Sequence, residues 1–230
     1  MRVEPFGVDS FVHIVKRGAR GLPVTRDDAD RKRFLRLLYY LNDEHRSEFW
    51  EQDVRRLDMF EHPKGWPERR PLVKILAWTL MPNHFHLLLQ EIQYGGVSRF
   101  MQSLCGSMSR HFNEKYDETG SIFQGSYRSR TIGTDRYLRW ALSYVLVKNV
   151  FELYPGGYDR AVRKFDSAWK WGVEKYAFSG LREVALSRKP SVTDIDLFYD
   201  FFKSPADFKS CSRDMILSRR GQSVEAISFE

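Results

Sequence analysis

Two histidines stand one residue apart inside an apolar run, MPNHFHLLLQ (81–90). In an extended strand alternate side chains share a face, so His84, His86 and Leu88 point one way and Phe85, Leu87 and Leu89 the other. Two imidazoles whose Cα atoms lie about 7 Å apart, by strand geometry, can converge on one divalent ion. The same two residues could instead be structural histidines bonded to backbone or acids, and H-x-H alone does not separate the readings. A third residue with chemistry to offer is Tyr144, mid-helix in ALSYVLVKNV (141–150), with Tyr137 and Trp140 near the same face and Lys148 one turn on. A tyrosine is about a thousandfold disfavoured as phenolate at neutral pH. It becomes a nucleophile only beside a cation or a base; otherwise it is a packing residue.

The elements that must position these groups follow from the hydrophobic pattern. FVHIVKRGARGLPV (11–24) begins as a strand and breaks at Gly18 and Gly21, and Asp27 and Asp28 then open a helix in which Phe34, Leu37, Leu38 and Leu41 recur at helical spacing. LVKILAWTLM (72–81) and HFHLLLQE (84–91) read as two strands joined tightly at Pro82-Asn83. After Gly95-Gly96, Val97, Phe100, Met101, Leu104, Met108 and Phe112 form one helical stripe, SIFQGSYRSRTI (121–132) reads as a strand, and Asp135 caps a second strong helix over 135–152. The order β-α-β-β-α-β-α predicts an α+β fold: a ferredoxin-like, split βαβ plait with an antiparallel sheet and helices on one face. YPGG (154–157) marks a break, so residues 1–154 are expected to form the site-bearing domain. Residues 155–230 are expected to form a C-terminal helical extension, with helices near 159–175, 193–203 and 205–217.

Composition narrows the function classes. The chain has 230 residues, 42% of them hydrophobic and 15% aromatic, enough for a sizeable core. A formal net charge of +7 favours an anionic partner such as nucleic acid. The two cysteines, Cys105 and Cys211, imply no disulfide framework and no metal-ligand spacing. Without a signal-peptide core or a long apolar run, a cytoplasmic protein with no membrane association is expected.

Taken together, WTLMPNHFHLLLQ (78–90), the helix ending SRHFNEKY (109–116), TGSIFQGSYRS (119–129) and DRYLRWALSYVLVKNV (135–150) resemble the IS200-like single-tyrosine transposases, including the REP-associated ones. The resemblance covers about residues 10–154, with four motifs in order. It implies a metal-dependent HUH endonuclease and strand transferase in which His84 and His86 bind a divalent cation, Mg²⁺ or Mn²⁺. Tyr144 would attack a phosphodiester of single-stranded or hairpin DNA, forming a 5′-phosphotyrosine bond. The family usually carries Asn or Gln four residues after the tyrosine as a third ligand; this chain has Lys148 there and Asn149 next. A protonated lysine offers a metal no acceptor. Either the helix distorts so that Asn149 takes the place, or Glu152 or water completes the shell, or the site is degraded. Lys148 could instead hold the scissile phosphate, act on Tyr144, or pair with Glu152.

Lys16, Arg17, Arg128 and Arg130, with Lys148, are the residues expected to hold phosphates. The resemblance suggests either a homodimer sharing its sites or a monomer. Two other readings stand beside the transposase: a nucleic-acid-binding module of the same fold whose catalysis is lost, and a metal hydrolase using H-x-H.

Overall fold

The computed structural model describes residues 6–45, 47–187 and 192–218. The elements up to the break near residue 154 are β1 (Phe11–Arg17), α1 (Asp28–Tyr40), α2 (Trp50–Asp53), β2 (Val73–Leu80), β3 (His84–Glu91), α3 (Gly96–Tyr116), β4 (Arg128–Ile132), α4 (Asp135–Ser143), a π-turn (Tyr144–Lys148) and α5 (Asn149–Glu152). They are followed by α6 (Gly157–Arg163), α7 (Phe165–Glu174), α8 (Leu181–Ala185), α9 (Ile195–Tyr199) and α10 (Pro205–Ser218).

The sheet order is β2-β3-β1-β4, antiparallel at every pairing. Two split β-α-β units interleaved in that order make the ferredoxin-like plait expected from the sequence. β1 is the central strand that matters here. Its register sets His13 opposite Leu88, Val15 opposite His86 and Arg17 opposite His84. On its other side His13 opposes Arg130 and Val15 opposes Arg128. Directly paired residues share a face, so one sheet face carries His13, Arg17, His84, His86, Arg128 and Arg130. Val12, Ile14, Phe85, Leu87 and Leu89 face the other way and are buried against α1 and α3.

Helix α1 starts where Asp27 and Asp30 form a capping box, and it turns Phe34, Leu37 and Leu38 onto the sheet. In α3 the expected stripe of Val97, Phe100, Met101, Leu104, Met108 and Phe112 is buried throughout. The sheet is not bare on its second face, as a plait with helices on one side would leave it. Leu76, Ala77, Leu88 and Ile132 lie on that face and pack with α4, the π-turn and residues of the C-terminal helices. Four apolar side chains on an open face would cost hydrophobic free energy, and these helices cover them.

Several boundaries differ from the sequence reading, among them the helix expected near 193–203, which is regular only over Ile195–Tyr199. The strand expected over 121–132 is regular only from Arg128, with an isolated bridge between Gly18 and Phe123. Thr134, not Asp135, caps α4: its backbone is extended and its hydroxyl accepts from the Tyr137 amide. Asp135 sits instead in the first turn, where the helix dipole favours it. The helix expected over 159–175 is two helices, broken at Lys164 (φ −117°, ψ 48°).

The C-terminal part closes the outer edge of β2. The Leu80 amide donates to the Phe178 carbonyl at 3.0 Å, the Gly180 amide to the Trp78 carbonyl at 2.9 Å, and the Asp194 amide to the Ile75 carbonyl at 2.7 Å. Tyr176 also donates its hydroxyl to the Leu80 carbonyl. Residues 188–191 and 219–230 of the expected extension lie outside the described residues. No helix among the described residues is long and apolar enough to cross a membrane.

Candidate active site

The site lies where β3 and β1 meet the π-turn. The ring centroids of His84 and His86 are 5.0 Å apart, as alternation along β3 requires. His86 is 1% exposed, and His84 is half-buried. Tyr144, 4% exposed, lays its ring edge-on to His86 at 5.9 Å and to His13 at 6.0 Å between centroids. On its other side it stacks on Trp140 at 5.3 Å, which in turn stacks on Tyr137 at 5.7 Å. The Arg130 guanidinium lies 5.8 Å from the Tyr137 ring centre. The nucleophile candidate is therefore held by rings on both sides.

A hydrogen-bond chain fixes the His84 tautomer. The Asn83 side-chain nitrogen donates to the Gly21 carbonyl at 3.3 Å, so its Oδ1 is the atom 2.7 Å from His84 Nδ1. An amide oxygen can only accept, hence Nδ1 carries the proton and the His84 lone pair lies on Nε2. The turn that presents Asn83 needs a glycine beside it. Gly18 donates its amide to the Asn83 carbonyl at 2.7 Å, and a Cβ there would come within 2.1 Å of the Leu22 carbonyl oxygen.

Lys148 serves Tyr144 and Glu152 together. Its ammonium is 3.5 Å from the Tyr144 hydroxyl and 4.8 Å from the ring centre, and it pairs with Glu152 at 2.6 Å. Burial pulls the Lys148 pKa down, but the Glu152 carboxylate and the Tyr144 hydroxyl outweigh it and the net shift is upward. Lys148 thus stays charged beside the phenol. Glu152, a possible ligand in the sequence reading, is committed to this pair.

The helix distortion is present. Tyr144–Lys148 is a π-turn, and the Asn149 amide donates to the Tyr144 carbonyl, five residues back. Asn149 is 1% exposed, and its side-chain Nδ2 is buried with no hydrogen-bond partner. A buried amide donor without a partner is costly, and turning the carboxamide over would put its oxygen, the atom a cation can take, in that place. Among the described residues no group of three or more His, Cys, Asp and Glu could hold a metal ion. A divalent cation here would therefore need an amide or solvent oxygen beside the two imidazoles, and His84, His86 and Asn149 are a donor set of that kind.

The cationic residues divide. Arg17, Arg128 and Arg130 are exposed on the histidine face. Lys16 is not with them: it is buried on the opposite face, donates to the Gly125 carbonyl and lies 5.2 Å from the Phe123 ring centre. Burial lowers its pKa. Strand alternation separates neighbours in sequence, so Lys16 and Arg17 cannot share a phosphate-facing surface. Tyr127 is half-buried, 3.4 Å from the Ser98 hydroxyl.

His13 is a site residue that the sequence reading does not single out. It is 2% exposed, and its Nε2 lies 3.0 Å from His86 Nδ1 with the ring planes 11° apart. The one signal for it in the sequence is a third histidine in a strand of the same alternation.

Residues 29–147 match the family described as "Transposase IS200 like". The chain belongs to the IS200-like transposase family. The matched span includes His84, His86 and Tyr144 and ends one residue before Lys148. Among solved structures, the chain is similar to the REP-associated tyrosine transposase bound to a REP hairpin, at 14% identity and a TM-score of 0.45, over 84% of this chain and 93% of that one. No curated protein matches the chain.

Proposed function

We propose that the chain is a metal-dependent endonuclease and strand transferase acting on single-stranded or hairpin DNA, with Tyr144 as nucleophile. The observation that carries this reading is the convergence on Tyr144 of the His86 ring and the Lys148 ammonium, in a member of a transposase family. His84, His86 and Asn149 would hold Mg²⁺ or Mn²⁺. When bound, such an ion supplies Lewis acidity toward a phosphate oxygen. Tyr144 Oη gives up its proton and bonds to phosphorus, the bond to the 3′ oxygen breaks, and that oxygen takes up a proton to leave as a 3′ hydroxyl. The product is a 5′-phosphotyrosine, which a second 3′ hydroxyl can attack to rejoin the strand without ATP. Lys148 places a positive charge next to the attacking oxygen, where negative charge must develop. Arg17, Arg128 and Arg130 supply exposed cations for the neighbouring phosphates.

The test is a denaturing gel. Wild-type protein incubated with a library of labelled single-stranded hairpins and Mn²⁺ should give a covalent protein–DNA adduct. No adduct with any divalent metal, alongside retained DNA binding, would leave the binding module of the same fold.

A further inference from the structure

His13 and His86 come from strands far apart in sequence, yet their ring nitrogens meet at 3.0 Å in the buried layer between sheet and π-turn. The contact is an in-plane one. A centroid separation of 5.2 Å with planes 11° apart is what two five-membered rings give when joined edge to edge through such a contact. One proton must lie between the two nitrogens, since two bare lone pairs would repel and two N–H groups would clash. The direction of that bond decides what His86 can do. If His13 donates, His86 accepts at Nδ1 and carries its own proton on Nε2, which is then closed to a metal. If His86 donates from Nδ1, its lone pair is on Nε2, as it is on His84.

We propose that His13 is a positioning residue: it accepts the Nδ1 proton of His86 and so holds that imidazole in the tautomer whose Nε2 can ligate a cation. The inference rests on the metal reading of the site given above. Which ring nitrogen of a ligating histidine is left bare for the metal is set by the hydrogen bond that the other nitrogen makes. His84 has an acceptor in Asn83 Oδ1, and His86 has His13 in that position. Each imidazole must present an unprotonated nitrogen to a shared ion, and the two acceptors arrange it independently. Metal-bound histidines generally donate their other N–H to an outer partner, and loss of that partner typically lowers metal affinity by about 10- to 100-fold.

The experiment reads the tautomer directly. In metal-free, full-length protein labelled with ¹⁵N-histidine, a long-range ¹H–¹⁵N correlation spectrum should show His86 protonated on Nδ1 and bare on Nε2, like His84. His13→Phe keeps a ring but no acceptor. It should return His86 to the Nε2–H form and weaken Mn²⁺ binding by about 10- to 100-fold. His13→Gln, whose side-chain oxygen can accept, should keep the wild-type tautomer and most of the affinity, with thermal melts confirming that each variant is folded. Finding His86 protonated on Nε2 in the wild type, or unchanged in His13→Phe, would overturn the assignment. So would a folded His13→Gln that binds Mn²⁺ as poorly as His13→Phe. Should His13→Phe not fold, the wild-type spectrum and His13→Gln decide. If the wild type bound no Mn²⁺ at all, the metal reading would fall, while the tautomer of His86 would still decide the role of His13.

Discussion

The Asn149 amide donates to the Tyr144 carbonyl across a π-turn, so these residues stand one helical turn apart although five positions separate them. In an unbroken α-helix the residue one turn after Tyr144 would be Lys148, and Asn149 would be rotated well round the axis. The extra residue in the turn lets the chain keep both: Lys148 reaches the Tyr144 hydroxyl with its ammonium, and Asn149 follows Tyr144 along the backbone hydrogen-bond ladder. Single π-turns inside α-helices are often found at functional sites, and here the insertion falls at the residue proposed as nucleophile.

Tyr144→Phe should abolish the covalent adduct while leaving DNA affinity nearly unchanged. The ring packing on Trp140 and the two histidines is retained, so the stability cost should be no more than about 1 kcal/mol. Denaturing gels and urea melts measure the two halves. Tyr127→Phe and Tyr137→Phe should still form the adduct, and a cleaving Tyr144→Phe would reduce Tyr144 to a packing residue.

Asn149→Ala should weaken Mn²⁺ binding by about tenfold or more and cost less stability than His86→Ala, because it leaves a smaller cavity and the Nδ2 it removes has no hydrogen-bond partner. Lys148→Asn should leave Mn²⁺ affinity near wild type or raise it, while removing the charge beside the Tyr144 hydroxyl. Calorimetric Mn²⁺ titrations distinguish them, and equal losses in both variants would contradict this division of labour.

His84→Ala and His86→Ala should both lose Mn²⁺, but only one should lose much stability. His84 is half-buried and truncation there should cost less than about 1 kcal/mol. His86 is enclosed and bonded to His13, so its removal leaves a cavity and a stranded nitrogen, worth about 2–4 kcal/mol. Equal melting curves for the two variants would show that the His86 ring is not part of the packed layer.

Arg17, Arg128 and Arg130 should act through salt. Replacing all three with Ala should flatten the log–log salt dependence of single-strand binding by about 2, the value for three phosphate contacts. Lys16→Ala should leave that slope alone and lower stability instead, since its ammonium is engaged with the Gly125 carbonyl. A slope change in Lys16→Ala would place the bound strand on the other sheet face.

Acid should loosen the protein through Asp30, far from the site. Burial pushes the Asp30 carboxyl up, but Lys115, the Arg26 amide, Tyr116 and His111 outweigh it and hold it well below the ordinary range. As pH falls below about 4 the unfolded chain takes the proton before the folded one does, so this contribution to stability is lost with acid. Urea melts from pH 7 to pH 3 should show the decline, and Asp30→Asn should be less stable by about 2 kcal/mol at pH 7 with a flatter profile.

The strand pair around Pro82-Asn83, the two long helices and the α+β plait are legible in the sequence because each rests on local periodicity. His84, His86 and Tyr144 are legible for the same reason, together with the resemblance of their motifs. His13 is not, since only the register of β1 against β3 brings it to His86. Lys16 is misplaced because grouping it with Arg17, its neighbour in sequence, ignores the side of a strand that each residue faces. The π-turn is foreseeable only as one resolution of the Lys148–Asn149 conflict. No composition rule marks where a helix takes an extra residue, which depends on packing between α4, the sheet and the C-terminal helices.

The backbone that seals β2 has a consequence for how copies of this chain can meet. A sheet edge with bare amides and carbonyls is a template on which another strand can zip, and proteins usually blunt such edges. Here residues 178–180 and Asp194 occupy the β2 rim, and the other rim of the four-stranded sheet belongs to β4. Among the described residues, the rim left for strand-to-strand association is that of β4, beside Arg128 and Arg130. Trimming the chain at 154 would strip the β2 rim and turn a sealed margin into an adhesive one, so that clumping rather than simple inactivity is the expected fate of the shortened protein.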